Sequence, residues 1–222
     1  IYPTLVTPGS EIEALWMEGD YRPYEENELI DLIAYAKSLL PEYVRLQRVQ
    51  RDIPARLIVA GSRHSNFRQL AEARLVEGGG GCRCIRCREA GRHQILDQPR
   101  INVLEYDCCG GREFFIQATS GDALVGFARL RFPADPWRQE LANSALLREL
   151  HVYGSLVPLN RAGEGSEWQH RNIGSSLLDK AESISRDAGF GSLAVMSGIG
   201  VRPYYQRHGY ERTGPYMIHR IT

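Results

Sequence analysis

The sequence lacks any run of about 18 apolar residues, which excludes a membrane-spanning helix. Its opening, Ile1-Tyr2-Pro3-Thr4, has no initiator Met, no basic stretch and no apolar core of a signal peptide. It reads as the interior of a longer protein. Internal repeats and low-complexity tracts are missing as well. With 43% hydrophobic and 24% charged residues among 222, the composition is that of an ordinary globular chain, which excludes disorder and fibrous repeats. Cysteine is scarce: five residues, Cys82, Cys84, Cys87, Cys108 and Cys109. An odd, clustered set fits a disulfide framework poorly and points to a reducing, cytoplasmic setting.

Net charge is absent too, since 27 basic and 27 acidic side chains cancel, but the charges are unevenly placed. Residues 1–42 hold two basic and nine acidic side chains, a balance of −7, and residues 43–92 hold eleven basic and four acidic, a balance of +7. All eleven of those bases are Arg. Arginine's planar fork matches phosphate geometry, so the cluster has the footprint of a nucleic-acid contact. A solvated face balancing the acidic segment before it would look the same.

Three parts can be separated. Residues 1–77 carry strand-like stretches at 2–6, 43–49 and 58–60. Between them lies a helix at 26–39, whose buried face is drawn by Leu29, Leu32, Ile33, Ala36, Leu39 and Leu40, and a second helix follows Ser65-Asn66, a suitable N-cap. Strand–helix alternation suggests βα units of a parallel sheet. Residues 78–99 open on four glycines and form a Cys- and Arg-rich loop. Residues 100–222 look like a compact α/β domain with strands at 101–106, 113–119, 123–132, 146–153, 192–196 and 215–220. Its long helix, 173–187, carries a stripe of Ile173, Leu177, Leu178, Ala181, Ile184 and Ala188.

The turn Gln169-His170-Arg171-Asn172-Ile173-Gly174-Ser175 opens that helix. Unpaired backbone N–H groups and the positive end of the helix dipole make such a turn a site for phosphate or pyrophosphate. With the strand before it, the strand after it and the downstream Tyr205-Gln206-Arg207-His208-Gly209-Tyr210, it resembles the GNAT acetyltransferases, whose signature is Gln/Arg-x-x-Gly-x-Gly/Ala. Gln169, Ile173 and Gly174 fit that pattern, and Asn172 replaces its first glycine. Six strings spread over the chain, among them YVRLQRVQRDIP, CRCIRCREAG and YYQRHGYERTGPYM, resemble the Elongator catalytic subunits, a family of tRNA uridine-modifying enzymes.

That resemblance implies the C-terminal βα units of a radical-SAM TIM-like barrel, a zinc loop and a GNAT domain. It implies acetyl-CoA, with Glu149, Leu150, His151 and Val152 offering backbone groups to the pantetheine arm, and Gln169, Ile173, Gly174 and Ser175 holding the pyrophosphate. Tyr205, with Tyr204 as its neighbour, would meet the leaving thiolate as a hydrogen-bond or proton donor. In the whole protein a 4Fe–4S cluster and S-adenosylmethionine are implied, and the spacing of Cys82, Cys84 and Cys87 does not suit that cluster. The implied partners are tRNA, other Elongator-type subunits or a second copy, and no membrane.

Read by themselves, Cys82, Cys84 and Cys87 are compact enough to share one zinc ion, with the neighbouring arginines 83, 86, 88 and 92 stabilising thiolates. A structural zinc is normally four-coordinate, and His93, His64, Cys108 and Cys109 are the candidates for the fourth place. Cys108 and Cys109 otherwise read as small buried residues. Given the resemblance, Arg45, Arg48, Arg51, Arg63, Arg68, Arg74 and the zinc-loop arginines would form the tRNA-facing surface. Two other functions stay open. One is an N-acetyltransferase of lysine or a small amine using Glu149, His151 or Glu211 as base. The other is a zinc-stapled RNA-binding module whose cofactor site Asn172 has disabled.

Overall fold

The structure, a computed structural model, describes residues 1–50, 52–93, 97–153 and 172–221. Two compact units divide between Cys87 and Arg88. The first is helical. Helix α1 (Glu11–Glu18) buries no side chain and stops at Gly19, whose φ of 85° turns the chain out of the helix. Helix α2 (Glu26–Ser38) starts with a reciprocal capping box between Glu25 and Glu28. It packs on α3 (Phe67–Glu77), and Leu29, Ile30, Ile33, Ala34, Val49, Phe67 and Ala71 form the core between them. A single turn, α4 (Ile85–Arg88), follows the glycines.

The expected face of α2 is rotated. Leu32 and Leu39 are exposed, whereas Ile30, Ala34 and Lys37 are buried. The stripe was drawn from apolar residues alone, and a charged residue, Lys37, belongs to the buried side. Asn66 takes the N-cap place of α3 but makes no side-chain capping bond.

Among the described residues of this unit the expected strands are not formed. The strand-type pairing described there is one antiparallel bridge, Val6 with Ala60, where Val6 N–H donates to Ala60 O and Val59 N–H to Val6 O. Segment 43–49 runs from a turn at Tyr43 to a bend at Val49, and three of its carbonyls are satisfied outside any ladder: Val44 by Ile85 N–H, Leu46 and Gln47 by the Arg68 guanidinium. A segment whose acceptors are taken by side chains and loop amides leaves them unavailable to a neighbouring strand.

The second unit is built on a seven-stranded sheet, β1 (Arg100–Cys108), β2 (Gly111–Ser120), β3 (Ala123–Phe132), β4 (Ser144–Val152), β5 (Ser192–Val195), β6 (Glu211–Thr213) and β7 (Tyr216–Arg220). Their order is β1-β2-β3-β4-β5-β7-β6, and only β4 and β5 run parallel. The crossover between those two carries α5 (Ile173–Asp187), and α6 (Arg202–Arg207) follows β5. Short β6, fully exposed and without apolar alternation, gave no strand signal in sequence.

Helix α5 places Ile173, Leu177, Leu178 and Ala181 on the sheet, against Ile116, Ala128, Leu130, Ala145, Leu147 and Leu193. Ser185 is buried on the same stripe, donating to Ala181 O, while Ala188 is exposed. Gly126 on β3 sets the approach: a Cβ there would lie 2.9 Å from His151 O, 3.2 Å from Ile173 and 3.3 Å from Leu177. No described helix is long and apolar enough to cross a membrane.

Candidate functional site

Strand β4 has two different halves. Residues Ser144 to Leu147 pair with Ser192 to Val195, and Met196 N–H donates to Leu147 O, closing the parallel ladder. Register against β3 then shifts: Leu130 faces Leu147 and Arg129 faces Glu149, leaving Arg148 as a bulge. From Arg148 to Val152, β4 has a strand partner on its β3 side only, among the described residues. A row of backbone N–H and C=O groups on the other edge is therefore open to an extended ligand.

Facing that edge is the first turn of α5. Asn172 caps it by position, but its side chain makes no capping bond. Gly174 is where three elements meet: a Cβ added there would lie 3.0 Å from the Tyr204 hydroxyl and 3.7 Å from Val152 Cγ2. The Tyr204 hydroxyl is shut off from solvent without a well-formed hydrogen bond. Burial raises its pKa, and neighbouring Ser175 opposes that. Ser175 Oγ lies 3.4 Å from His208 Nε2, and the His208 ring packs on Tyr204 at 4.7 Å.

A buried phenol without a well-formed hydrogen bond, beside an uncapped helix terminus and a glycine, is chemically suited to an oxygen-rich ligand. Of the residues singled out in the sequence, Val152, Gly174 and Tyr204 lie together, with Ile173 and Ser175 beside Gly174 in the first turn of α5. Gln169 lies outside the described residues, as do His170, Arg171 and Arg51.

Tyr205 stands differently. It is buried in the core, edge-on to Tyr204 at 5.1 Å and to Tyr210 at 5.7 Å, and burial pushes its pKa up to about 12. Glu149 and His151 point to the sheet face away from α5. There Arg129 Nε donates to the Glu149 carboxylate at 3.0 Å, and the His151 ring packs on Tyr153 at 4.5 Å. Leu150, on the α5 side, packs against the core.

Sequence reasoning missed two further polar atoms, Ser197 Oγ and Arg202 Nε, which are likewise buried without a hydrogen-bond partner. Nothing in their spacing signalled it. It also missed Glu113, a buried carboxylate that receives Arg148, Arg131 and the Tyr106 hydroxyl.

The second cluster lies in the first unit. The sulfurs of Cys82, Cys84 and Cys87 all lie within 4.8 Å of one another, and among the described residues no His, Asp, Glu or further Cys completes that group. His64 is paired with Glu26 at 2.9 Å, while His93, Cys108 and Cys109 belong to the other unit. Arg83 pairs with Glu42, and Arg88 donates to Gln117 at 2.9 Å. A further cation at the cluster is Lys37. Its fully buried ammonium lies 3.0 Å from Glu72 and 3.5 Å from Cys87 Sγ. Glu72 and the thiols raise its pKa against burial. Sharing of protons among the sulfurs drives the Cys84 thiol far below its ordinary range and Cys87 far above. A buried ammonium is costly unless anions face it, so its presence beside three sulfurs fits a thiolate metal centre.

Several arginines of the basic stretch hold the fold. Arg63 donates to Ile58 O, Arg68 to Leu46 O and Gln47 O, and Arg74 pairs with Asp31.

Comparison with known proteins bears on both units. Residues 85–210 match the acetyltransferase (GNAT) family. The chain belongs to the GNAT family. Residues 1–77 match the radical-SAM C-terminal domain. The chain is 42% identical over 228 residues to the tRNA uridine(34) acetyltransferase of Methanocaldococcus jannaschii, covering 98% of this chain and 42% of that protein. It is 40% identical over 233 residues to Elongator complex protein 3 of Saccharomyces cerevisiae, covering 100% and 42% respectively. The solved structure of the archaeal Elp3 of Methanocaldococcus infernus with an N-terminal deletion superposes with a TM-score of 0.89 at 41% identity, over 99% of this chain and 54% of that one. The chain thus spans less than half the length of these curated relatives.

Proposed function

We propose that this chain is the acetyl-CoA-binding part of an enzyme that modifies the wobble uridine of tRNA, supplying also part of the tRNA surface. The observation that carries this is the meeting of the open β4 edge, the uncapped first turn of α5 and the unpartnered Tyr204 hydroxyl around Gly174. In this reading the backbone of Glu149 to Val152 binds the pantetheine arm. The N–H groups of Ile173, Gly174 and Ser175 bind the pyrophosphate, with Gln169 beside them. Tyr204 and Tyr205 are the phenols at the thioester, and Tyr204 is the better placed, because its hydroxyl already faces the helix turn. Acetyl-CoA supplies the activated two-carbon unit.

An amine acetyltransferase needs a free base, and the pairing of Glu149 with Arg129 speaks against that role. Cys82, Cys84 and Cys87 hold zinc as a structural staple, with Lys37 and Glu72 behind the thiolates. The match of the first unit to a radical-SAM C-terminal domain supports S-adenosylmethionine and a 4Fe–4S cluster in the longer protein. A cytoplasmic location and further Elongator-type subunits belong to the same reading.

The decisive test is calorimetric titration with a non-hydrolysable acetyl-CoA analogue, on the unaltered chain and on Gly174→Glu. Micromolar binding that the variant loses supports the site. An absence of binding by folded, zinc-loaded protein removes it and brings forward the RNA-binding module.

A further inference from the structure

The tip of the β1–β2 hairpin holds two cysteines adjacent in sequence. Along a strand neighbouring side chains point to opposite faces, so adjacent cysteines ordinarily keep their sulfurs apart. Here Cys108 ends β1 and pairs in register with Gly111, leaving a two-residue loop of Cys109 and Gly110 with φ of 46° and 74°. Positive φ at both central residues is the type I′ turn, whose first place suits Asn. Cys109 is the only non-glycine residue with positive φ among the described residues.

This turn lets the Cys109 side chain meet Cys108, and the two Sγ atoms lie 3.7 Å apart. Two thiolates can share one soft centre only when their sulfurs lie close together, and this pair already does. Arg131 Nη2 holds Cys109 O at 3.1 Å, and a side chain at Gly111 would collide with Phe132 O. Both thiols are free, Cys109 is exposed and Cys108 half-buried. The expectation that both are small buried residues is therefore corrected: a hairpin tip has no layer above it to bury them.

We propose that Cys108 and Cys109 form a vicinal-dithiol site for a soft trivalent centre, arsenic(III) being the chemical class that fits two neighbouring thiolates. It is separate from the Cys82, Cys84 and Cys87 cluster, which lies in the other unit. Binding is a condensation. With phenylarsine oxide, two S–H bonds break, two S–As bonds form, and the arsenic-bound oxygen leaves as water. Nothing is oxidised or reduced.

The probe is phenylarsine oxide, added to the zinc-loaded full chain and followed by intact-mass and peptide mass spectrometry. Cleavage after Arg100 and Arg112 gives a peptide, 101–112, with these two cysteines and no other. One phenylarsenic per chain should appear on that peptide, survive excess monothiol and be removed by ethane-1,2-dithiol. Cys109→Asn keeps the turn chemistry while removing one thiol, so folding is not at risk. It should weaken binding roughly 100-fold, the order lost when a second attachment point is removed. Cys108→Ser should do the same. An adduct that persists in Cys109→Asn, is stripped by monothiol, or maps to residues 82–87 would overturn the proposal.

Discussion

Tyr204 sets two demands against each other. Its hydroxyl is buried without a well-formed hydrogen bond, a situation that costs about 1–3 kcal/mol, while removing the group leaves the ring packing on His208 and Tyr205 intact. Tyr204→Phe should therefore raise the stability of the ligand-free protein by about 1 kcal/mol, measured by denaturant unfolding. The same variant should lower acetyl-CoA affinity or hydrolysis about tenfold, equal to roughly 1.4 kcal/mol. Unchanged hydrolysis would remove Tyr204 from the site.

Tyr205 was the easier of the two to single out in sequence, because it heads the Tyr-x-x-x-Gly-Tyr pattern. What that pattern could not convey is that Tyr205 is packed among core residues while its neighbour faces the glycine of α5. Lys37 was illegible for a related reason. Apolar periodicity counts hydrophobic residues, and a lysine on a buried face is visible only when its anions, brought from α3 and the cysteine segment, are in place.

At the scale of elements, α5 was legible from end to end, because a strongly amphipathic helix needs only its own sequence to declare its face. β4 was legible as a strand, but its bulge and its parting from β5 were not, since register depends on partners 15 to 50 residues away. Gly126 is where these elements touch. Gly126→Ala drives a methyl against His151 O and the α5 side chains Ile173 and Leu177. Overpacking of this kind should cost about 1–3 kcal/mol of unfolding free energy. It should also weaken acetyl-CoA binding, because the helix turn and the β4 edge are pushed apart together. Loss of stability with full affinity would mean that the geometry of the two elements does not set the site.

Two buried tyrosines and a half-buried one add a pH dependence to the second unit. Tyr106 and Tyr205 are pushed from an ordinary 10 up to about 12, chiefly by burial, and Tyr210 is pushed further, by burial and its bond to Glu182. In the unfolded chain these phenols ionise near pH 10 while the fold still holds their protons. Stability is thus full below pH 10 and falls as pH rises toward 12. Thermal unfolding should show this decline, and Tyr210→Phe should make it shallower. An unchanged slope would mean that other groups govern the alkaline limb.

For the molecule as a whole, the two units are stabilised by different means. The helical unit has a small core between α2 and α3, and three sulfurs close together beside a buried lysine. The sheet unit has a much larger core, and the proposed acetyl-CoA site belongs to it. Anything that binds only the folded state raises stability in proportion to RT ln(1 + [L]/Kd), so each ligand should act on the unit that holds it. Calorimetry should resolve two transitions, and a zinc chelator should lower the one belonging to the first unit. An acetyl-CoA analogue at about 100 times its Kd should raise the other by roughly 2.7 kcal/mol. Lys37→Met removes the cation that faces the thiolates, so it should speed zinc loss to a chromogenic chelator at least tenfold while leaving the ligand-sensitive transition in place. If chelation moved both transitions equally, the metal would be stabilising the GNAT fold as well, and the staple would have to be assigned to the whole chain.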